Sequence, residues 1–328
     1  MLPADLHICC TSRASAAPPL QERVEQKFFI TPDRIPAAMA LLRKTCRPDP
    51  EHALGQVNSL YFDTHDLEEH TRSDAGEFAK DKIRIRWYGG ECDPHRSWSE
   101  DPSASEKGEW PVMTADVGAS ASTATVPVWL ERKTRQGFAS TKQRLSVDVH
   151  ACVLAPAALC RGIVSASLLR DTMVCFGFFP DGRLCPVIAI SYWRHRFVEP
   201  VTGFRVSIDA RIRSSLVMLS LGKGERGLEL PGAVVEVKGS VFDLPTSLRP
   251  LADLGSSWSR YSKYSSSLDG HAATLGSVSR LWPSGIMQKE PYTLGRVSVG
   301  SAHLEAQMSS APPAAEGRRP DLEDYVAG

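Results

Sequence analysis

Lys82-Ile83-Arg84-Ile85-Arg86-Trp87-Tyr88 alternates charge with apolar bulk at nearly every step. In an extended chain, residues two apart share a face, so Lys82, Arg84 and Arg86 stand on one side and Ile83, Ile85 and Trp87 on the other. The same period recurs in Arg23-Val24-Glu25-Gln26-Lys27, Glu131-Arg132-Lys133, Lys142-Gln143-Arg144, Arg205 to Asp209, and Glu236-Val237-Lys238. Alternation alone also fits strands with one face in solvent. Against that, the pattern Glu-x-Lys appears at Glu25/Lys27, Glu131/Lys133 and Glu236/Lys238, in segments far apart, and a solvated face has no need of such pairs. A small barrel turns one face of every strand inward, so these faces would converge on one polar, net positive lumen.

Working outward, a strand is expected at Val24–Ile30. Thr31-Pro32 then opens a helix whose Ile35, Met39 and Leu42 recur at helical spacing, ending near Arg47-Pro48. Further strands are expected in 55–64, 82–88, 126–134, 143–150, 187–192, 204–212 and 233–238, with a buried helix over 156–176 and a short one over 245–254. The segment 92–126 has no periodicity and reads as a mobile insertion. Residues 1–20 and 271–328, rich in Ser, Ala, Pro and Gly, read as disordered, leaving one folded domain over 21–270. This is an α+β pattern dominated by an antiparallel barrel with a few flanking helices.

Lys plus Arg and Asp plus Glu each total 38 in 328 residues, so no overall field steers the chain to nucleic acid or an anionic membrane. Basic character must therefore be local. Eight scattered cysteines form no CxxC pair and no zinc-ligand spacing with His, and are read as mostly buried thiols in a reducing compartment. The N-terminal stretch has no signal-peptide pattern. The apolar run 163–179 carries Arg170 and Asp171, so no membrane span is expected and the setting is taken as cytoplasmic.

Buried cations without partners are costly, so a basic lumen calls for a polyanion. Arg and Lys hold phosphate through charge-assisted hydrogen bonds, and the interspersed glutamates suit a hard divalent cation, Mn²⁺ or Mg²⁺. Gly222-Lys223-Gly224-Glu225-Arg226-Gly227 matches a dinucleotide-binding glycine pattern, but it leads into Pro231 and a strand, so it reads as a hairpin loop. Trp87 and Tyr88 read as rings able to stack on an adenine, with packing in the barrel wall an equal alternative for Trp87, and His195 and Arg196 read as surface residues. Asp63 and Asp209 read either as partners that orient arginines or as local turn and salt-bridge residues.

The ordered set Arg23-Val-Glu25-Gln-Lys27, Ser59-Leu-Tyr61-Phe-Asp63-Thr64, Arg84-Ile-Arg86-Trp87-Tyr88, Glu131-Arg132-Lys133-Thr134, Lys142-Gln-Arg144, Tyr192-Trp-Arg194, Arg205 with Asp209, Glu236-Val-Lys238 and Ser262-Lys263-Tyr264 resembles the VTC domain. That is the polyphosphate polymerase domain of the triphosphate tunnel metalloenzyme superfamily. The resemblance implies a tunnel that binds ATP or another triphosphate and moves the γ-phosphoryl onto polyphosphate. It implies phosphate contacts from Lys27, Arg84, Arg86, Lys133, Lys142, Arg144, Arg194, Arg205, Lys238 and Lys263. Lys263 would close the reacting end and Glu236 would be the principal metal ligand, with Glu25 and Glu131 beside it. Lys263 and Glu236 are thus the expected catalytic residues. Arg23 stands where the superfamily's hydrolases and cyclases carry a glutamate, which favours the polymerase over those activities, while a non-catalytic polyphosphate-binding module stays open. A membrane protein that receives product is the further partner the resemblance suggests.

Overall fold

The computed structural model describes residues 24–89, 125–137, 139–218, 221, 227–257 and 261–275. The expectations for 1–20, for residues 92–124 of the insertion, for the glycine-rich loop over 222–226 and for the tail beyond Leu275 lie outside these, whereas residues 125 and 126, expected in the insertion, belong to a strand. The elements run β1 (Val24–Ile30), a 3₁₀ turn (Pro32–Arg34), α1 (Ile35–Thr45), β2 (Arg47–Pro48), β3 (Leu54–Asp63), α2 (Glu68–Asp74), β4 (Ala79–Tyr88) and β5 (Thr125–Gln136). There follow β6 (Ala139–His150), a 3₁₀ segment (Pro156–Arg161), α3 (Ala166–Cys175), β7 (Cys185–Val198), β8 (Arg205–Leu216), β9 (Leu228–Gly239), α4 (Leu251–Leu254), β10 (Ser256–Ser257) and α5 (Lys263–Leu275). No helix among the described residues is long and apolar enough to cross a membrane.

The strands form one antiparallel sheet in the order β10-β1-β9-β8-β7-β3-β4-β5-β6, with β2 against β7. The expected barrel is present as a curled sheet whose seam is spanned by side chains. Lys133 on β5 reaches Glu25 on β1 at 3.5 Å, and no ladder between β1 and β5 or β6 is recorded among the described residues. Outward-facing apolar residues of the sheet are covered by helices. Phe28, Ile30, Val206, Ile208, Val235 and Val237 pack on Ala38, Met39 and Leu42 of α1. Ile83, Ile85, Trp87 and Leu130 pack with Leu169 and Met173 of α3. Trp87 is thus the wall residue its parity predicts.

A third cluster lies inside the curl. Tyr264, Leu268 and Ala272 of α5 pack on Tyr61, Ile188, Ile190, Ile212 and Val234, so α5 fills one end of the interior. This helix was not expected. It continues to Leu275, beyond the boundary at 270, because His271 and Ala272 are buried. The chain can offer both apolar and charged residues to the interior because β8 carries a bulge at Arg211, with φ at 51°. Such a bulge inserts one residue and reverses the parity beyond it. Ser207 and Asp209 face inward before it, Ile212 and Leu216 after it.

Three other expectations need correction. The helix over 156–176 is two pieces, separated where Gly162 adopts φ 76° and where Ser165 caps α3 by accepting from the Leu168 N–H at 3.2 Å. The left-handed turn suits glycine, and a capping serine starts a new helix. Helix α2 was missed because its first turn is capped from a distance. The Asp63 carboxylate accepts from the N–H groups of Thr64, Glu69 and His70 at 2.8, 3.0 and 2.9 Å, and from the Tyr264 hydroxyl at 2.7 Å. Asp63 therefore organises a helix start and no arginine. Finally, among the described cysteines Cys152, Cys160 and Cys175 are exposed, Cys185 is half-buried and Cys46 buried, because the first three lie on surface helical segments, Cys152 on a 3₁₀ turn over Ala151–Leu154.

Candidate functional site

Directly opposed residues of an antiparallel ladder share a face. The pairing register therefore brings the charged faces of neighbouring strands together. Glu25 stands opposite Lys238, and Lys238 opposite Arg205. Lys27 is opposite Glu236, Glu236 opposite Ser207, and Ser207 opposite Arg196; Asp209 is opposite Arg194. Arg194 is opposite Gly55 on β3, the strand that sets Ser59 against Arg86 and Tyr61 against Arg84. Arg84 is opposite Glu131, and Glu131 opposite Arg144; Lys82 is opposite Lys133, and Lys133 opposite Lys142. All the strand residues expected to bind phosphate or metal lie on this one inner face.

Around Glu131, the Arg84 guanidinium donates through Nε and pairs through Nη2, both at 2.8 Å, and its Nη1 donates to the Tyr61 hydroxyl at 3.2 Å. Lys142 pairs with the other Glu131 oxygen. Burial disfavours the Glu131 charge, but Arg84, Arg86 and Lys142 overcome it and bring the carboxyl down to about 2. Arg86 donates to Ser59 at 3.2 Å and to the Tyr192 hydroxyl at 3.4 Å. Across the interior, Lys27, Lys133 and Lys238 surround Glu25 at 2.8, 3.5 and 3.9 Å. Lys238 and Arg194 reach Glu236 at 3.3 and 3.6 Å. Despite burial, the cations Lys238, Arg194 and Lys27 hold Glu236 well below the usual carboxylate range.

The structure thus separates the expected metal ligands. Glu25 and Glu236 are neighbours, whereas Glu131 is committed to Arg84 and Lys142. No cluster of three His, Cys, Asp or Glu residues able to hold a metal occurs among the described residues. Glu25 and Glu236 lie on paired strands and share Lys238, at 3.9 and 3.3 Å, and their hard oxygens fit a divalent ion that takes its remaining ligands from phosphate and water.

Lys263, the first residue of α5, places Nζ 2.6 Å from Asp209 Oδ2 and 4.9 Å from the Tyr192 ring centre. Arg194 grips the same carboxylate through Nε at 2.6 Å and Nη2 at 2.7 Å. Asp209 is therefore the partner that orients both cations. Ser262 accepts from the Ser265 N–H at 3.2 Å, fixing the start of α5, and from Lys82 Nζ at 2.7 Å.

The chain matches the VTC domain over residues 22–111 and 116–269. The chain belongs to the VTC domain family. No curated protein matches it. Among solved structures, a candidate adenylate cyclase from Bacillus halodurans is similar at 12% identity and TM-score 0.36, over 67% of this chain and 81% of that one. Another from Vibrio parahaemolyticus is similar at 10% identity and TM-score 0.30, over 71% and 83%.

Within this VTC domain the inner face also holds residues outside the expected set. Lys82 shares the parity of Arg84 and Arg86, a signal present in the opening heptapeptide; burial, together with Lys27, Lys133 and Arg84, pushes its amine well below the usual lysine range. Arg196 shares the parity of Arg194 and donates to the His52 carbonyl at 3.1 Å. Its neighbour His195 faces outward and is half-buried against Phe197, where burial and Arg43 bring the imidazole down to about 4. Neither is the plain surface residue expected. Arg144 and Arg205 are exposed, Arg144 on the edge strand and Arg205 near the chain reversal into β8.

Proposed function

We propose that this VTC domain is an ATP-dependent polyphosphate polymerase acting inside its cationic channel. The observation that carries the reading is the single inner face on which Lys27, Lys82, Arg84, Arg86, Lys133, Lys142, Arg194, Lys238 and Lys263 outnumber Glu25, Glu131, Asp209 and Glu236. Membership of the VTC domain family supports a triphosphate as the substrate class. In the proposed reaction the bond between the γ-phosphorus and the ADP oxygen breaks. A terminal oxygen of the growing chain forms the new bond to that phosphorus, and ADP leaves.

Phosphoryl transfer asks the protein mainly for positioning and charge stabilisation. Arg84, Arg86 and Arg194 offer planar donors already fixed by Glu131, Ser59, Tyr192 and Asp209. Lys263 offers a charge held beside Asp209 at the plugged end. Glu25 and Glu236 would hold the divalent ion, Mn²⁺ or Mg²⁺, which would supply positive charge to offset that of the phosphates. A cytoplasmic setting and a membrane protein that accepts the product belong to the same proposal.

Incubation of the purified protein with ATP and Mn²⁺ should yield polyphosphate and ADP, and Glu236→Gln should remove most of this product and weaken the metal dependence. ADP with free phosphate as the only products, or a cyclic nucleotide, would replace the polymerase with a hydrolase or cyclase.

The channel also has an expected pH response. Burial lowers the Lys142 amine to about 8 even though Glu131 opposes the shift. An anion beside it needs the protonated form, so affinity for inorganic tripolyphosphate should fall as pH rises through about 8. Calorimetric titrations at pH 7 and 9 check this, and Lys142→Arg, which stays charged, should flatten the decline.

A further inference from the structure

We infer that Tyr88 and Trp129 form a platform for the base of a nucleoside triphosphate, at the end of the channel opposite α5. The inference rests on the reading of the channel as a triphosphate site and names the part of the substrate lying outside the phosphates.

Tyr88 continues the inner row of Lys82, Arg84 and Arg86, and Trp129 stands directly opposite Arg86 on β5. Both rings therefore face the channel, unlike Trp87, which is buried in the outer core at 5% exposure. Their centres lie 5.3 Å apart with the planes at 67°. Such an edge-to-face pair leaves ring face available for a third flat ring. Tyr88 also remains 38% exposed. A pair that served packing alone would be closed into a core, and the core position of this segment is already filled by Trp87.

The order along β4 matches the order of groups in a nucleoside triphosphate. Lys82 touches Ser262 at the start of α5, so from the plug outward the inner residues are Lys82, Arg84, Arg86 and Tyr88. A strand advances about 3.3 Å per residue, which separates Tyr88 from Arg84 by about 13 Å. Charges line the deep part and aromatic surface lines the outer part, as phosphates, sugar and base require of a ligand that enters phosphates first. Aromatic side chains stack any base through its π-face, more strongly the larger purines.

The test compares inorganic tripolyphosphate with an ATP analogue whose γ-phosphoryl cannot be transferred, each titrated calorimetrically into wild type, Tyr88→Ala, Tyr88→Phe and Trp129→Leu. Tyr88→Ala should weaken the ATP analogue about tenfold and leave tripolyphosphate unchanged, with Tyr88→Phe close to wild type. Trp129→Leu should change the same ratio in the same direction, and melting curves establish that each variant is folded. Equal losses for both ligands, or no loss for the ATP analogue, would overturn the platform while leaving the channel reading intact. Failure of wild type to bind tripolyphosphate would remove the channel reading and the platform with it.

Discussion

Lys263→Met is expected to lower turnover about a thousandfold while the domain stays folded. Lys263 sits at the first residue of α5, is 15% exposed, and is aligned by Asp209 at 2.6 Å and by the Tyr192 ring. Burial opposes its charge, but Asp209 and Tyr192 raise the amine above the ordinary lysine value, so it stays protonated across the working range. A charge fixed before reaction costs no reorganisation as the transferring phosphoryl develops negative charge. Removal of one such donor costs about 10² to 10³ in turnover, and loss of an arginine finger 10³ to 10⁵. Asp209 keeps Arg194 in the variant, so the melting temperature should change little. Steady-state kinetics with ATP, paired with calorimetric titration of tripolyphosphate, separate the possibilities. A fall in kcat with nearly constant affinity assigns Lys263 to the transition state, whereas a rise in KM alone would assign it to uniform binding.

Asp209→Asn is expected to damage stability more than any other single change in the channel. The carboxylate is fully buried and serves Arg194 through two hydrogen bonds and Lys263 through a third contact. With the negative charge gone, two buried cations face each other, and breaking a buried ion pair from one side costs about 3–5 kcal/mol. For a domain of this size that is about 10 °C in melting temperature. Tripolyphosphate should recover much of the loss, because a ligand bound only by the folded state stabilises it and here also restores the missing charge. The wild type has a matching acid response. Burial raises the Asp209 value, but Arg194 and Lys263 prevail and depress it, so its contribution is complete above the ordinary aspartate range and is lost as pH falls through the depressed value. Thermal melts of wild type and variant between pH 3 and 7 should converge at the acid end. Parallel curves would show that Asp209 is not the counter-charge holding Arg194 and Lys263.

Sequence and structure divide unevenly over this site. The face of each strand was legible because side-chain parity is local. Glu25/Lys27, Arg84/Arg86 and Glu236/Lys238 needed no knowledge of neighbours to be grouped, and Lys82 was readable by the same rule. The partner of each residue was not legible. Glu131 follows the same Glu-x-Lys pattern as Glu25 and Glu236, yet register places it against Arg84, with Lys142 at its other oxygen, away from the other two glutamates. Helix α5 was hidden because its residues carry little helical periodicity and its burial comes from Tyr61, Ile188 and Val234, distant in sequence. Helix α2 was hidden because Asp63, which caps it, lies at the end of a strand.

The sequence by itself determined the antiparallel, alternating character of the strands, the apolar outer face, the cationic inner face and the membership of the VTC family. The alternation and the faces follow from side-chain parity within a few residues, where chain geometry alone sets direction, and the family follows from the order of the motifs along the chain. Only the tertiary structure decided that the faces meet, that α5 closes one end and that the bulge at Arg211 turns Ile212 inward beyond Asp209. The physical reason is that pairing register and charge neutralisation are properties of contacts between distant segments. A carboxylate such as Asp209 acquires its role only when folding brings Arg194 and Lys263 to it.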